Sequence, residues 1–383
     1  MDQRRRVRRT LLRRRRRPRR VQQRPRVLRI QPIHLTTWRN IACQLPPSSF
    51  SFVMATGILS TALSLTGQTA ASIALLIIAL AGLLLLTALS VTRLCYNRHL
   101  VMADLRDPGR SFGFFTIVAA LDVIAARLAS AGLIWPATAL GALSVPVWLA
   151  LTYGIPTGLY LRPRPGQAWP VDGSWLLWVV GTQALTVTLT AARHPDGTLA
   201  GMAVGLWGVG VVLYLIITTL IVYRLLTNRS DPATFSPTYW ILMGATAITV
   251  LAAAHLHQLP HTLPVLTITG DTITGISYIL WAVGTWWIPF LILFGIWRHG
   301  LHHVPLRYET ALWSIVFPLG MYSAASITFG NSTGISYMII TGQIGTAIAT
   351  LVWAAVTASA SHAAIRATRA HKHRGSTPTE LLR

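Results

Sequence analysis

The 383-residue sequence predicts an all-α integral membrane protein of ten transmembrane helices, arranged as five helical hairpins around a central path. Three observations carry this. Apolar residues make up 52% of the chain and charged residues 11%, against about 25% charged in an average soluble domain. Stretches such as Ala70–Leu89 run uncharged for about 20 residues, the length that crosses ~30 Å of hydrocarbon as a helix. Helix starts also recur along the chain at a nearly constant period.

The spans are expected near 47–66, 70–92, 111–131, 133–158, 173–192, 199–223, 237–257, 273–297, 311–329 and 334–357. They are uniformly apolar and too long for barrel strands, so helices are indicated. The formal net charge of +23 sits mostly outside them. Residues 1–45 hold 16 arginines and one acid, and residues 366–383 hold five basic groups and Glu380. The middle keeps twelve arginines and eight acids. That balance excludes an ordinary soluble enzyme and nucleic-acid binding by the body of the chain. The expected domains are a basic, disordered cytoplasmic tail over 1–45, a membrane domain over 46–358 and a second basic cytoplasmic tail over 359–383.

Orientation follows from Lys and Arg. The loops after the second, fourth, sixth and eighth spans hold ten arginines: 93, 98, 106, 110, 162, 164, 224, 229, 298 and 307. The opposite loops hold Arg193 and, at a span end, Arg127. Both termini are therefore expected in the cytoplasm, in the inner (plasma) membrane. Cys43 and Cys95 then lie at cytoplasmic helix ends, where thiols stay reduced, and no metal motif is visible. The first 45 residues lack the apolar core and small-residue cleavage site of a signal peptide. They read as a solvated tail that fixes topology, as an anchor on anionic lipids at roughly 1 kcal/mol per Arg, or as the product of a start codon placed too far upstream.

Odd-numbered spans begin near 47, 111, 173, 237 and 311. Each opens on a small or polar residue followed by an aromatic: Ser49-Phe50, Ser111-Phe112, Ser174-Trp175, Thr238-Tyr239 and, more loosely, Ala311-Leu312-Trp313. Odd spans also carry more polar and helix-loosening groups than most even ones, with the tenth fitting less well. Polar positions at membrane depth are tolerated where they face protein or a water-filled cavity. This contrast predicts an inner ring of five odd helices around a path, jacketed by the even ones. For any single Ser or Thr, a bond back to its own helix or close packing explains it equally well.

At this point the residues resemble a known family. Residues 47–58, PSSFSFVMATGI, are similar to the first helix of the tellurite-resistance/dicarboxylate transporter family, which includes fungal malate permeases and plant slow anion channels. Asp107-Pro108 with Ser111-Phe112-Gly113-Phe114-Phe115 resembles its third-helix start, and residues 313–322, WSIVFPLGMY, resemble its ninth helix. The likeness covers about residues 45–357. It implies quasi-five-fold symmetry around a central pore, a homotrimer, a small inorganic or organic anion as substrate, and a pore-plugging phenylalanine at Phe317. The anion classes implied are C4-dicarboxylate, sulfite, halide or nitrate, and tellurite-related oxyanions.

The pore-lining candidates are Phe50, Thr56, Gly57, Phe114, Asp122, Gln183, Thr186, Thr246, Ser314 and Pro318. Arg98, Arg110 and Arg298 form an expected basic cytoplasmic entrance that concentrates anions within about a Debye length. Asp122 falls mid-span, where an acid costs about 2.5–3.5 kcal/mol. It reads either as a proton-coupling acid of a carrier or as an acid bonded to a neighbouring hydroxyl. His255 and His257 point to different helix faces, so a shared metal site is not expected. The sequence carries no nucleotide-binding loop, no nucleophile–base pair and no cofactor signature. A membrane sensor or enzyme without flux, and a cation carrier built on Asp122, are the remaining alternatives.

Overall fold

A computed structural model describes residues 33–161, 170–191, 197–228, 231–232 and 235–374. The described residues fold as helices and turns. α1 covers Ile33–Cys43, α2 Ser51–Leu65, α3 Thr69–Tyr96, α4 Arg98–Leu105, α5 Phe115–Ser130 and α6 Ile134–Tyr160. α7 covers Leu177–Thr190, α8 Gly197–Thr227, α9 Ile241–His257, α10 Pro264–Ile296, α11 Trp313–Thr333 and α12 Ser336–Arg374. The first odd-numbered span is α2, and the later ones are α5, α7, α9 and α11.

Nine helices among the described residues are long and apolar enough to cross a membrane. The fifth expected span, Gly173–Thr190, is short and carries Gln183 and four threonines, which dilute its apolar character. It nevertheless packs between α5 and α9 in the position its order demands. Two boundaries move. α10 begins nine residues earlier than expected, because Pro264 starts the helix and Asp271 is carried within it. α12 runs on to Arg374. The tail expectation needs a correction as well: residues 1–32 lie outside the described residues, but Ile33–Cys43 is helical and packs on α3. Trp38 donates its indole N–H to Thr92 there, and Arg39 lies over the Tyr96 ring, so this segment has partners that a solvated tail lacks.

α2, α5, α7, α9 and α11 form a closed ring: each packs on the next, and α11 returns to α2. α3, α6, α8, α10 and α12 jacket it. Burial separates the two sets. Between 72% and 89% of the spanning residues of α2, α5, α9 and α11 are buried, against 22–33% for the jacket helices. Thus the polar-rich helices are inside and the Leu/Ile/Val-rich helices face outward, as a bilayer requires.

Each inner helix is preceded by a 3-10 turn: Pro47–Phe50, Ser111–Phe114, Gly173–Leu176, Pro237–Trp240 and Thr310–Leu312. These lead-in turns also touch in a closed cycle. Aromatics in the turns and at the starts of the helices they lead into bridge neighbours. Phe112 lies 4.5 Å from Trp175, and Phe52 meets Trp313 edge-on at 4.9 Å. Proline fits the first turn of a helix, where no N–H partner is needed, and Asp172 caps the third turn by accepting from the Ser174 N–H and hydroxyl. Burial holds the Asp172 carboxyl above the usual carboxylate range, against the lowering pull of those bonds and of Arg224. Gly173 is required by close approach: a Cβ there would sit 2.1 Å from the Thr238 carbonyl oxygen.

The jacket is tied to the ring by a repeated bond. Trp148 of α6 donates its indole N–H to the Thr182 hydroxyl of α7 (3.1 Å). Trp207 of α8 donates to the Thr249 carbonyl of α9 (3.1 Å). Trp281 of α10 donates to Ser326 of α11 (2.8 Å), and Trp353 of α12 to Thr56 of α2 (3.1 Å). In each case the outer helix of one hairpin grips the inner helix of the next. The fifth junction, between α3 and α5, is made differently. Arg127 donates to Ser72 of α3 (2.9 Å), to Ser60 of α2 (3.2 Å) and to Ser130 (3.2 Å).

Two outcomes test this account by thermal denaturation in detergent. Gly173→Ala is expected to destabilise by more than about 2 kcal/mol, since backbone must shift, while Gly275→Ala, whose Cβ meets nothing, stays within about 0.5 kcal/mol. Trp353→Phe, which removes only the indole donor and some ring volume, is expected to cost about 1 kcal/mol.

Candidate functional site

The ring has a register. Seven residues beyond the first residue of each lead-in turn lie Met54, Val118, Val180, Gly244 and Phe317. Phe317, Met54, Val118 and Val180 are fully buried at this level. Pro318 packs on Gly244, where a Cβ would fall 2.8 Å from the proline Cγ. Four residues further on lie Ile58, Asp122, Ala184, Ile248 and Met321, and all five line one cavity of about 220 Å3. The cavity continues past Thr61, Ser64, Ser130, His255, Gln258 and Thr328 toward the C-terminal ends of the inner helices. Phe317 is absent from its lining, so the cavity stops short of the Phe317 level.

The two ends of the axis differ electrostatically. The N-termini of the five inner helices gather on the lead-in face, and their aligned peptide dipoles make that end positive. The Ser111 hydroxyl in this ring is buried without a partner among the described residues, as is the Thr238 hydroxyl. The far face receives the C-terminal ends. Asp122 stands in the wall of the far cavity. Its Oδ1 accepts from Ser144 of α6 (2.6 Å) and Thr188 of α7 (2.9 Å), while Oδ2 is buried without a partner among the described residues.

Several expected pore-lining residues face elsewhere. Thr56 receives Trp353 and therefore faces α12. Gln183 donates to the Trp207 carbonyl and packs on Gly210 of α8. Thr246 abuts Gly284 of α10 and donates to the Met243 carbonyl. Their polarity serves contact with the jacket, a use that composition does not distinguish from lining a path. Thr186 donates back to the Thr182 carbonyl. Gly57 lets Val123 and Ile124 of α5 approach α2. Phe50 and Ser314 are buried near the lead-in ring, and Phe114 is half-buried in it. Of the expected basic entrance, Arg98 is exposed, Arg110 pairs with Asp104 (3.1 Å) and Arg298 with Glu309 (3.6 Å). Asp104 is also held by the buried Arg93 (2.6 Å), so much of this charge is neutralised locally. Arg162, Arg164, Arg193 and Arg229 lie outside the described residues.

Ile58, Ala184, Ile248 and Met321 were not singled out from the sequence. The signal that finds them is the count from each lead-in turn, which places one residue per helix on the axis.

Residues 44–360 match the family model described as SLAC1, voltage-dependent anion channel. The chain belongs to the SLAC1 family. The matched region runs from just before the first lead-in turn into α12, so it covers the whole ring and jacket. An uncharacterised membrane protein of Mycobacterium tuberculosis is 43% identical over 141 residues, covering 37% of this chain and 71% of the relative. Two uncharacterised transporters of Methanocaldococcus jannaschii are 26% identical over 236 residues and 29% identical over 120, covering 59% and 31% of this chain and 65% and 33% of their own lengths. As a SLAC1-family member with transporter relatives, the chain is a multi-span membrane protein of anion transport.

The Asp122 geometry predicts a graded response in melting temperature. Asp122→Asn keeps an acceptor for Ser144 and Thr188 and is expected to stay within about 1 kcal/mol of wild type. Asp122→Ala removes the acceptor for the buried Ser144 and half-buried Thr188 hydroxyls and is expected to cost about 1–3 kcal/mol, softened by the alternative bond from Ser144 to the Gly141 carbonyl.

Proposed function

We propose that small anions pass along the axis of the helix ring, from the lead-in face past Phe317 into the far cavity, and that Phe317 is the gate. The observation that carries this is the order of features along one axis: five convergent helix N-termini, a buried aromatic level, then a cavity lined by all five inner helices. A buried aromatic ring closes a narrow path sterically and by excluding water. The positive helix ends and unpartnered hydroxyls favour anions at the lead-in face without a fixed charge in the bore. Candidate substrates are C4-dicarboxylates, sulfite, halide or nitrate, and tellurite-related oxyanions. The same proposal puts the lead-in face in the cytoplasm of the plasma membrane, with both termini on that side. In its support, every described Lys and Arg except Arg127 lies toward that face. Assembly as a homotrimer and contact of the basic N-terminal tail with anionic lipids belong to this reading too. No catalytic step is assigned.

A second reading, a proton-coupled carrier, draws on one observation: the Asp122 Oδ2, buried without a partner among the described residues in a cavity that His255 also lines. An acid there can hold a proton while the cavity holds an anion.

Flux in proteoliposomes with a panel of these anions tests both. Phe317→Ala is expected to raise anion flux by about tenfold or more. No anion flux in either protein, under imposed voltage and under an imposed pH gradient, sinks the transport reading. Uptake driven by a pH gradient only while Asp122 is intact identifies a carrier, and undiminished voltage-driven current in Asp122→Asn identifies a channel.

A further inference from the structure

The odd junction of the ring carries more than a structural difference. Arg127 is three residues from the end of α5 and is 6% exposed. Among the described residues it is the one Lys or Arg in the far half of the membrane domain; the others lie toward the lead-in face. A tryptophan would hold this seam as it holds the other four, with no charge to desolvate. A guanidinium at such depth costs several kcal/mol unless it is well bonded, and here its three nitrogens each reach a serine hydroxyl, from α2, α3 and α5. The serines are themselves anchored. Ser60 and Ser72 donate to each other's carbonyls at 2.7 and 2.6 Å, and Ser130 donates to the Arg127 carbonyl. Every contact given for the guanidinium is to a neutral oxygen, so its charge is held in place and not cancelled. Asp122 does not cancel it either. Asp122 bonds toward α6 and α7, whereas Arg127 bonds toward α2 and α3, on the other flank of α5.

The charge stands directly behind the far cavity. Ala126 and Ser130, which flank Arg127 on α5, line the cavity together with Thr61 and Ser64 of α2. That cavity receives five helix C-termini, whose dipoles disfavour anions. A fixed unit positive charge in a low-dielectric wall acts over the width of a small cavity and offsets those terms. We infer that Arg127 is the specificity-determining cation of the far vestibule, setting its preference for anions over cations through the wall formed by Thr61, Ser64 and Ser130.

This inference rests on conduction along the axis, and the test separates the two. Phe317→Ala, as the conducting background, is reconstituted in planar bilayers under a KCl gradient, and the reversal potential gives the chloride-to-potassium permeability ratio. Adding Arg127→Gln is expected to lower that ratio by about tenfold, while Arg127→Lys retains most of it. Ser130→Asp keeps the guanidinium and gives it a carboxylate partner, so the fold is retained while the charge is cancelled; the same fall in ratio is expected. A residue that only clamps α3 to α5 would change melting temperature and leave the ratio alone. An unchanged ratio in Ser130→Asp, or in Arg127→Gln that remains monodisperse, overturns the inference while leaving conduction standing. Absence of any current in the Phe317→Ala background overturns conduction itself, and this inference with it.

Discussion

A tryptophan N–H inside a bilayer has no water to bond, so it must find an acceptor on protein. In this chain four tryptophans on four jacket helices solve that problem the same way, by reaching to the inner helix of the next hairpin. The direction of the reach matters more than its strength, which is about 0.6 kcal/mol on average for polar contacts between membrane helices. A bond within a hairpin would add nothing between neighbouring pairs. A bond forward to the next hairpin reinforces the inner-helix and lead-in contacts that order the pairs around the axis. The closed cycle of lead-in turns, the common register of the inner helices and the location of the cavity on the axis all presuppose that order.

The same constraint explains which parts of the molecule could be read from the chain. Ten spans and their pairing were legible because hydrocarbon imposes a length and forbids charge. The period of the lead-in turns was legible because four of them carry a small or polar residue next to an aromatic, and Phe112 and Trp175 bridge adjacent turns. Which face of an inner helix meets the axis was not legible from polarity. Thr56, Gln183 and Thr246 are polar because of neighbours on the jacket, and the axis is lined mainly by Ile58, Ala184, Ile248 and Met321. A threonine that can bond its own helix or receive an indole looks the same in sequence as one that meets an ion. Of the pore-lining candidates, Asp122 is the one that lines the cavity.

The ring is asymmetric at the level of Phe317. The five positions there are Met54, Val118, Val180, Gly244 and Phe317, so the largest side chain and the absent one belong to adjacent helices, α11 and α9. Pro318 occupies the room that Gly244 leaves. A level built this way is not five-fold even though its helices are.

The ring also has a history in time. Its last clamp joins Trp353 to Thr56, partners 297 residues apart in the chain. Synthesis proceeds at about 5–20 residues per second, so α2 waits roughly 15–60 s in the bilayer before the helix that completes its surroundings exists. The Ser60–Ser72 bonds of the first hairpin need no later residue. The order of the hairpins along the chain is therefore also the order in which neighbours become available.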